Sequence, residues 1–141
     1  VTVQAQILNL IRELQEKRGM SVIFISHDLG VISEVCDRVA VMYLGHLVEQ
    51  AGVNAIFSNP AHPYTRGLID CIPKTDKKSR DRLFSIPGSV PTPIDLPPGC
   101  PFAARCAFVM PRCRKMPPFR AVAPAHEAAC WLNHEDEEAS E

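Results

Sequence analysis

Cys100, Cys106, Cys113 and Cys130 are spaced C-x5-C-x6-C-x16-C in a stretch rich in proline and poor in apolar runs. Thiolates are soft ligands, and four of them suit either a zinc ion or an iron–sulfur cluster. The spacing has neither the C-x2-C knuckles of typical zinc ribbons nor the C-x2-C-x2-C run of bacterial ferredoxins, so it does not choose between the two. A small unit with so little core needs a staple. A cytoplasmic setting disfavours a disulfide, which leaves a metal or cluster site as the sharper reading. His126, four residues before Cys130, would share a helical face with it and could replace one thiol. A hydrogen bond behind the ligands is its preferred role. Cys36 and Cys71 read as buried structural thiols.

The second candidate is His27, which directly follows the apolar run 21–26 and directly precedes a helical pattern. In open α/β sheets, ligands bind outside the carboxyl ends of the strands. A neutral imidazole there can donate one N–H to a phosphate oxygen while a neighbour holds its other nitrogen. Taken alone, the position fits a loop or capping residue better. His46, His62 and His134 do not end a buried strand and receive no catalytic role.

The elements that must position these residues follow from periodicity. Val3, Ile7, Leu10, Ile11 and Leu14 mark one helical face over 3–17, with Lys17 and Arg18 in the last turn. Residues 21–26 read as a strand buried on both faces. A helix fits 29–36, with Asp28 near its positive end. RVAVMY at 38–43 is a strand, Leu44-Gly45 a turn, and 46–50 a third strand. Helices are expected at 53–58 and 63–71. Strand–helix–strand order of this kind implies α/β layering with at least one parallel pair, in the back half of a larger domain. Eleven of the 13 prolines fall from Pro73 to Pro124, where they forbid long helices and central strands. A boundary near residue 72 is expected, followed by a small, irregular cysteine-containing domain at 73–133 and an acidic, disordered, solubilising tail at 134–141.

Certain words in the sequence then carry a resemblance. Ile25-Ser26-His27-Asp28-Leu29 resembles the switch motif of ABC ATPases, and Asp37-Arg38-Val39 with Met42-Tyr43-Leu44-Gly45 resembles the segment C-terminal to that motif. Val1–Ile7 resembles the helix after the D-loop. His62-Pro63-Tyr64-Thr65, Ile86-Pro87-Gly88 and Gly99-Cys100-Pro101-Phe102 extend the match to the ATP-binding subunits of oligopeptide/dipeptide ABC importers. The resemblance implies that 1–72 is the C-terminal portion of a P-loop ATPase domain, that His27 contacts the γ-phosphate of ATP·Mg²⁺, and that the four cysteines carry a [4Fe–4S] cluster, with zinc as the alternative. It also implies a second ATP-binding subunit, two transmembrane permease subunits and an external peptide-binding protein as partners, and a peripheral place on the cytoplasmic face of the inner membrane.

No G-x-x-x-x-G-K-[ST] phosphate loop, signature motif or apolar strand ending in Asp-Glu occurs in the 141 residues. The chain alone is therefore expected to be no ATPase. Its opening at Val1 suggests a processed product or a fragment, and it shows no signal peptide. A net charge of −1 gives no reason to expect nucleic acid. No apolar run approaches the roughly 20 residues needed to cross a bilayer, so the chain reads as soluble. Between Leu96 and His126 there is no acidic residue, only Arg105, Arg112, Arg114, Lys115 and Arg120. These read as a solvated basic face that would also offset an anionic thiolate site. A stand-alone iron–sulfur or zinc-binding interaction or regulatory module is the competing function, and an electron-transfer protein ranks last.

Overall fold

A computed structural model describes residues 3–72, 85–92 and 98–134, so the tail from 135 onward lies outside the described residues. The chain divides into two compact units, Val1–Cys36 and Asp37–Glu141.

The first unit holds α1 (Val3–Arg18) and α2 (Leu29–Val35). α1 follows the helical pattern, but its stripe stays in solvent: Val3, Ile7, Leu10 and Leu14 are all exposed. Asp28 caps α2, its Oδ1 accepting from the amides of Gly30 (2.9 Å) and Val31 (3.2 Å), which satisfies two of the helix's free donors. The expected strand at 21–26 is not formed. A strand needs a neighbour to take its N–H and C=O groups, and none among the described residues pairs with this segment. Ile23 and Ile25 are each 92% exposed.

The second unit is built on a four-stranded sheet of β1 (Arg38–Tyr43), β2 (His46–Gly52), β3 (Arg120–Ala123) and β4 (His126–Ala128), in the order β1-β2-β4-β3. All three pairings are antiparallel, which corrects the expectation of a parallel pair. The reason is the two-residue connection Leu44-Gly45. Both residues take positive φ, 48° and 80°, the turn whose twist suits a tight hairpin and can only return the chain antiparallel. In β1, Val39, Val41 and Tyr43 alternate inward. A bulge shifts the register from Val41↔Glu49 to Met42↔Leu47, leaving Val48 without a partner on β1. Bulges re-aim side chains, and here two consecutive residues, Val48 and Glu49, are both buried. α3 (Val53–Ser58) packs on β1 and β2 through Ile56. α4 (Pro63–Asp70) comes next, with His62 as its cap and Pro63 in its first turn.

Among its described residues, the proline-rich segment contributes two strands to the sheet. Pro124 sits with Ala125 in the turn between β3 and β4, so the prolines leave both strands intact. β4 pairs with β2 (Glu49↔Ala128, Gln50↔Glu127), and the Ala129 amide donates to Val48 O at 2.9 Å. Phe102, 3% exposed, packs its ring against Tyr43 (5.3 Å) and Tyr64 (5.3 Å). Residues on both sides of 72 therefore share one core. No helix among the described residues is long and apolar enough to cross a membrane.

Candidate functional site

His27 lies at a bend just ahead of α2, in the first unit, and is exposed. It keeps its place before a helix, but the buried strand expected to end at it is absent, so in this chain it is a surface imidazole.

The four cysteines do come together. Cys100, Cys106, Cys113 and Cys130 all line one cavity of the second unit. Cys100 and Cys113 are joined through backbone, the amide of Cys100 donating to the Cys113 carbonyl at 2.9 Å. Gly99 makes this approach possible. It adopts φ +99°, and a Cβ there would lie 2.3 Å from the Cys113 oxygen, so only glycine fits. Cys106 closes a one-turn helix over Ala103–Arg105, and Cys113 sits in a similar turn, Pro111–Arg114. Cys130 opens the turn Trp131–Asn133 and is delivered by β4.

Three of the thiols are held in their protonated form. Burial pushes Cys130 up to about 11, with the neighbouring thiols adding to the effect. Cys100 and Cys106 are raised, first by burial, with neighbouring thiols adding and backbone amides opposing. A cation that displaced the thiol protons would gain four soft donors. The spacing as it stands does not hold a single ion, because among the described residues no group of three His, Cys, Asp or Glu side chains is suitably gathered. The space enclosed is about 10 Å³, enough for one water.

His126 is in a strand, not on a helix with Cys130, and its ring is committed elsewhere. Its Nε2 lies 2.7 Å from Glu49 Oε1. Glu49 is the residue that sequence reasoning missed. It is fully buried, and it accepts from the Ala61 amide (2.7 Å) and the His62 amide (2.9 Å) as well. A glutamate midway along an amphipathic strand gives no signal of this. His62 was also passed over. It is 1% exposed, its Nδ1 accepts from the Tyr64 amide at 3.0 Å, and it lines the thiol cavity. The H-P-Y-T word, with a histidine just ahead of a proline, carries a capping signal that could have placed it. Two of the basic residues prove to be ties. Arg105 donates to the carbonyls of Ile86 (2.9 Å) and Pro87 (3.1 Å), and Arg112 donates to His134 O (3.1 Å).

Comparison with known proteins gives this geometry a context. Residues 48–113 match the family model of the oligopeptide/dipeptide transporter, C-terminal region. A peptide ABC transporter ATP-binding protein of Sinorhizobium fredii is 49% identical over 136 residues, covering 96% of this chain and 41% of that protein. A peptide import ATP-binding protein of Brucella melitensis is 50% identical over 130 residues, covering 92% of this chain and 39% of that protein. Another, of Brucella ovis, is 42% identical over 131 residues, with 92% and 41% covered. The chain thus spans about two fifths of the length of these relatives.

The buried His62 makes stability depend on pH. Burial lowers it to about 4, against the opposing charge of Glu49. The unfolded chain, with a histidine near 6.5, binds the proton more readily, so stability is full above about pH 6.5 and falls as pH drops towards 4. Denaturant titration of the metal-free protein should show a loss of about 2 kcal/mol between pH 7 and pH 5. His62→Asn, which keeps a capping acceptor, should flatten that slope. An unchanged slope would remove His62 as its source.

Proposed function

We propose that the chain, whose residues 48–113 match the oligopeptide/dipeptide transporter C-terminal region, is the C-terminal part of an ATP-binding subunit whose ATP hydrolysis drives peptide import. The observation that carries the reading is 49% identity across 96% of the chain to a protein described as a peptide ABC transporter ATP-binding protein. In this reading residues 1–72 complete a nucleotide-binding domain, and the cysteine segment 73–133 is an accessory extension whose described residues pack on the sheet of β1 and β2. Support for the first part comes from the bare apolar surface of α1 and of residues 21–26, which the portion of the relatives not spanned by this chain would cover. The partners in this reading are a second ATP-binding subunit, two membrane-spanning permeases and, through them, a peptide-binding protein. They would hold the subunit peripherally at the cytoplasmic membrane face.

His27 then has a defined task. With residues 21–26 paired in the larger domain, it would stand at a strand end, where its N–H can donate to the γ-phosphate of ATP. Mg²⁺ and the phosphate-cradling amides would come from the remainder of the protein, since phosphoryl transfer rests on positioning and charge stabilisation by such groups. In the full-length subunit, His27→Ala should bind ATP within a few-fold of wild type and hydrolyse it about 10² to 10³ more slowly, as expected for one lost donor at a preorganised site. The 141-residue chain alone should show no turnover above background. Near-normal hydrolysis by the full-length variant would end this assignment.

The four cysteines are proposed as the ligands of a [4Fe–4S] cluster, with zinc as the alternative occupant. Convergence of four thiols on one cavity supports either. A cluster places one thiolate on each iron, so it does not require three donors gathered round a single ion. In protein made and purified without oxygen, iron and sulfide should be present together, and each of Cys100→Ser, Cys106→Ser, Cys113→Ser and Cys130→Ser should lower them. Cys36→Ser and Cys71→Ser should not. Stoichiometric zinc without iron would reassign the site, and neither metal would dismiss it.

A further inference from the structure

Two of the four thiols on the cavity are also joined through their backbones. The Cys100 amide donates to the Cys113 carbonyl at 2.9 Å. Covalent geometry then keeps their Cα atoms no more than about 6.8 Å apart, and a disulfide bridges Cα separations of about 4.4–6.8 Å. Both side chains line the same cavity, so they face a common space rather than opposite sides of the backbone. That space is about 10 Å³, room for one water. The approach extends beyond the single bond: a Cβ on Gly99 would lie 2.3 Å from the Cys113 oxygen and 2.6 Å from the Arg114 carbonyl. Among the described residues no backbone bond joins Cys106 or Cys130 to another cysteine.

The two sulfurs differ in access. Cys113 is half-buried, whereas Cys100 is buried, so an oxidant arriving from solvent meets Cys113 first. A peroxide converts that thiol to a sulfenic acid, and one water leaves as the O–O bond breaks. The Cys100 sulfur then attacks the sulfenic sulfur. An S–S bond forms, the S–O bond breaks, and the hydroxyl departs with the thiol proton as a second water. The two thiols give up two electrons in all, and the peroxide takes them. All four cysteines are free in the structure, so the reduced form is the starting state.

We propose that Cys100 and Cys113 form a reversible disulfide when a peroxide reaches the metal-free chain, a redox switch that removes two of the four thiols from the cavity's donor set. Only Cys106 and Cys130 would then remain as donors. A link of this kind is transient wherever thiol reductants are maintained, which suits a switch and not a permanent staple. The switch does not depend on what the cavity binds, because it needs two sulfurs and no ion.

The test uses the whole chain, freed of metal by a chelator and then treated with hydrogen peroxide, either folded or in concentrated urea. Remaining thiols are blocked with N-ethylmaleimide, and the chain is digested without reduction. Trypsin, cutting after Arg105, Arg112, Arg114 and Arg120, puts Cys100, Cys106, Cys113 and Cys130 on four different peptides, so mass spectrometry reads each pairing directly. In the folded chain the Cys100–Cys113 pair should outweigh every other, and dithiothreitol should return both thiols. In urea the order should reverse. There Cys100–Cys106 and Cys106–Cys113 close loops about half as long and should each be favoured about threefold over Cys100–Cys113. A different main pairing in the folded chain, or the same mixture folded and unfolded, would overturn the switch. So would a folded chain in which Cys113 is oxidised to sulfinic acid with no link to Cys100.

Discussion

The Glu49 carboxyl lies with no exposed surface between β2, the turn ahead of α4 and β4, and its oxygens accept from two backbone amides and stand 2.7 Å from the His126 ring. A buried carboxylate is tolerated only where hydrogen bonds replace the water it has lost. All three partners come from outside its own strand, so satisfying it ties two other segments to β2. One is the Ala61–His62 turn that starts α4 and walls the thiol cavity. Another is β4, which runs directly into Cys130. Glu49 faces inward because it stands opposite Val41 and two residues before Ala51, both buried, on the regular side of the bulge.

This constraint joins what composition separates. The proline-rich stretch cannot build a core of its own, but it does not need to, because Phe102 enters the aromatic cluster of Tyr43 and Tyr64 and β4 extends the sheet of β1 and β2. The cysteine site is then supported by two devices. Glu49 anchors the Cys130 side, and Gly99 with the Cys100–Cys113 bond anchors the other. Burial raises Cys100, Cys106 and Cys130 above the ordinary thiol range.

Most helices and the first hairpin could be read from sequence because their signals are local. The apolar alternation of Val39, Val41 and Tyr43 and the Leu44-Gly45 turn placed β1 and β2, and Pro63 with His62 marks the start of α4. Residues 21–26 defeated the same reasoning, since an apolar run states what a segment would bury and not whether a neighbour is there to pair with it. Proline density hid β3 and β4, because the count ignored that Pro124 falls in a turn. At the site, the cysteines announced themselves by type and spacing. Glu49 and His62 did not, since each acquires its role only through residues far away in the chain: Glu49 and His126 are 77 positions apart.

The central claim is that the sheet and the cysteine segment unfold as one unit held by Glu49. Trp131 is the only tryptophan, and it engages Arg112, Lys115 and His134, so its fluorescence reports the cysteine segment. Denaturant unfolding of Glu49→Ala followed at Trp131 is the most direct measurement. Removing one member of a buried, hydrogen-bonded set costs about 3–5 kcal/mol, and the Trp131 transition is expected to shift down by that amount. A Trp131 transition that stays at the wild-type midpoint, while the amides of β1 and β2 lose their protection from exchange, would mean that the cysteine segment stands without Glu49 and would contradict the claim.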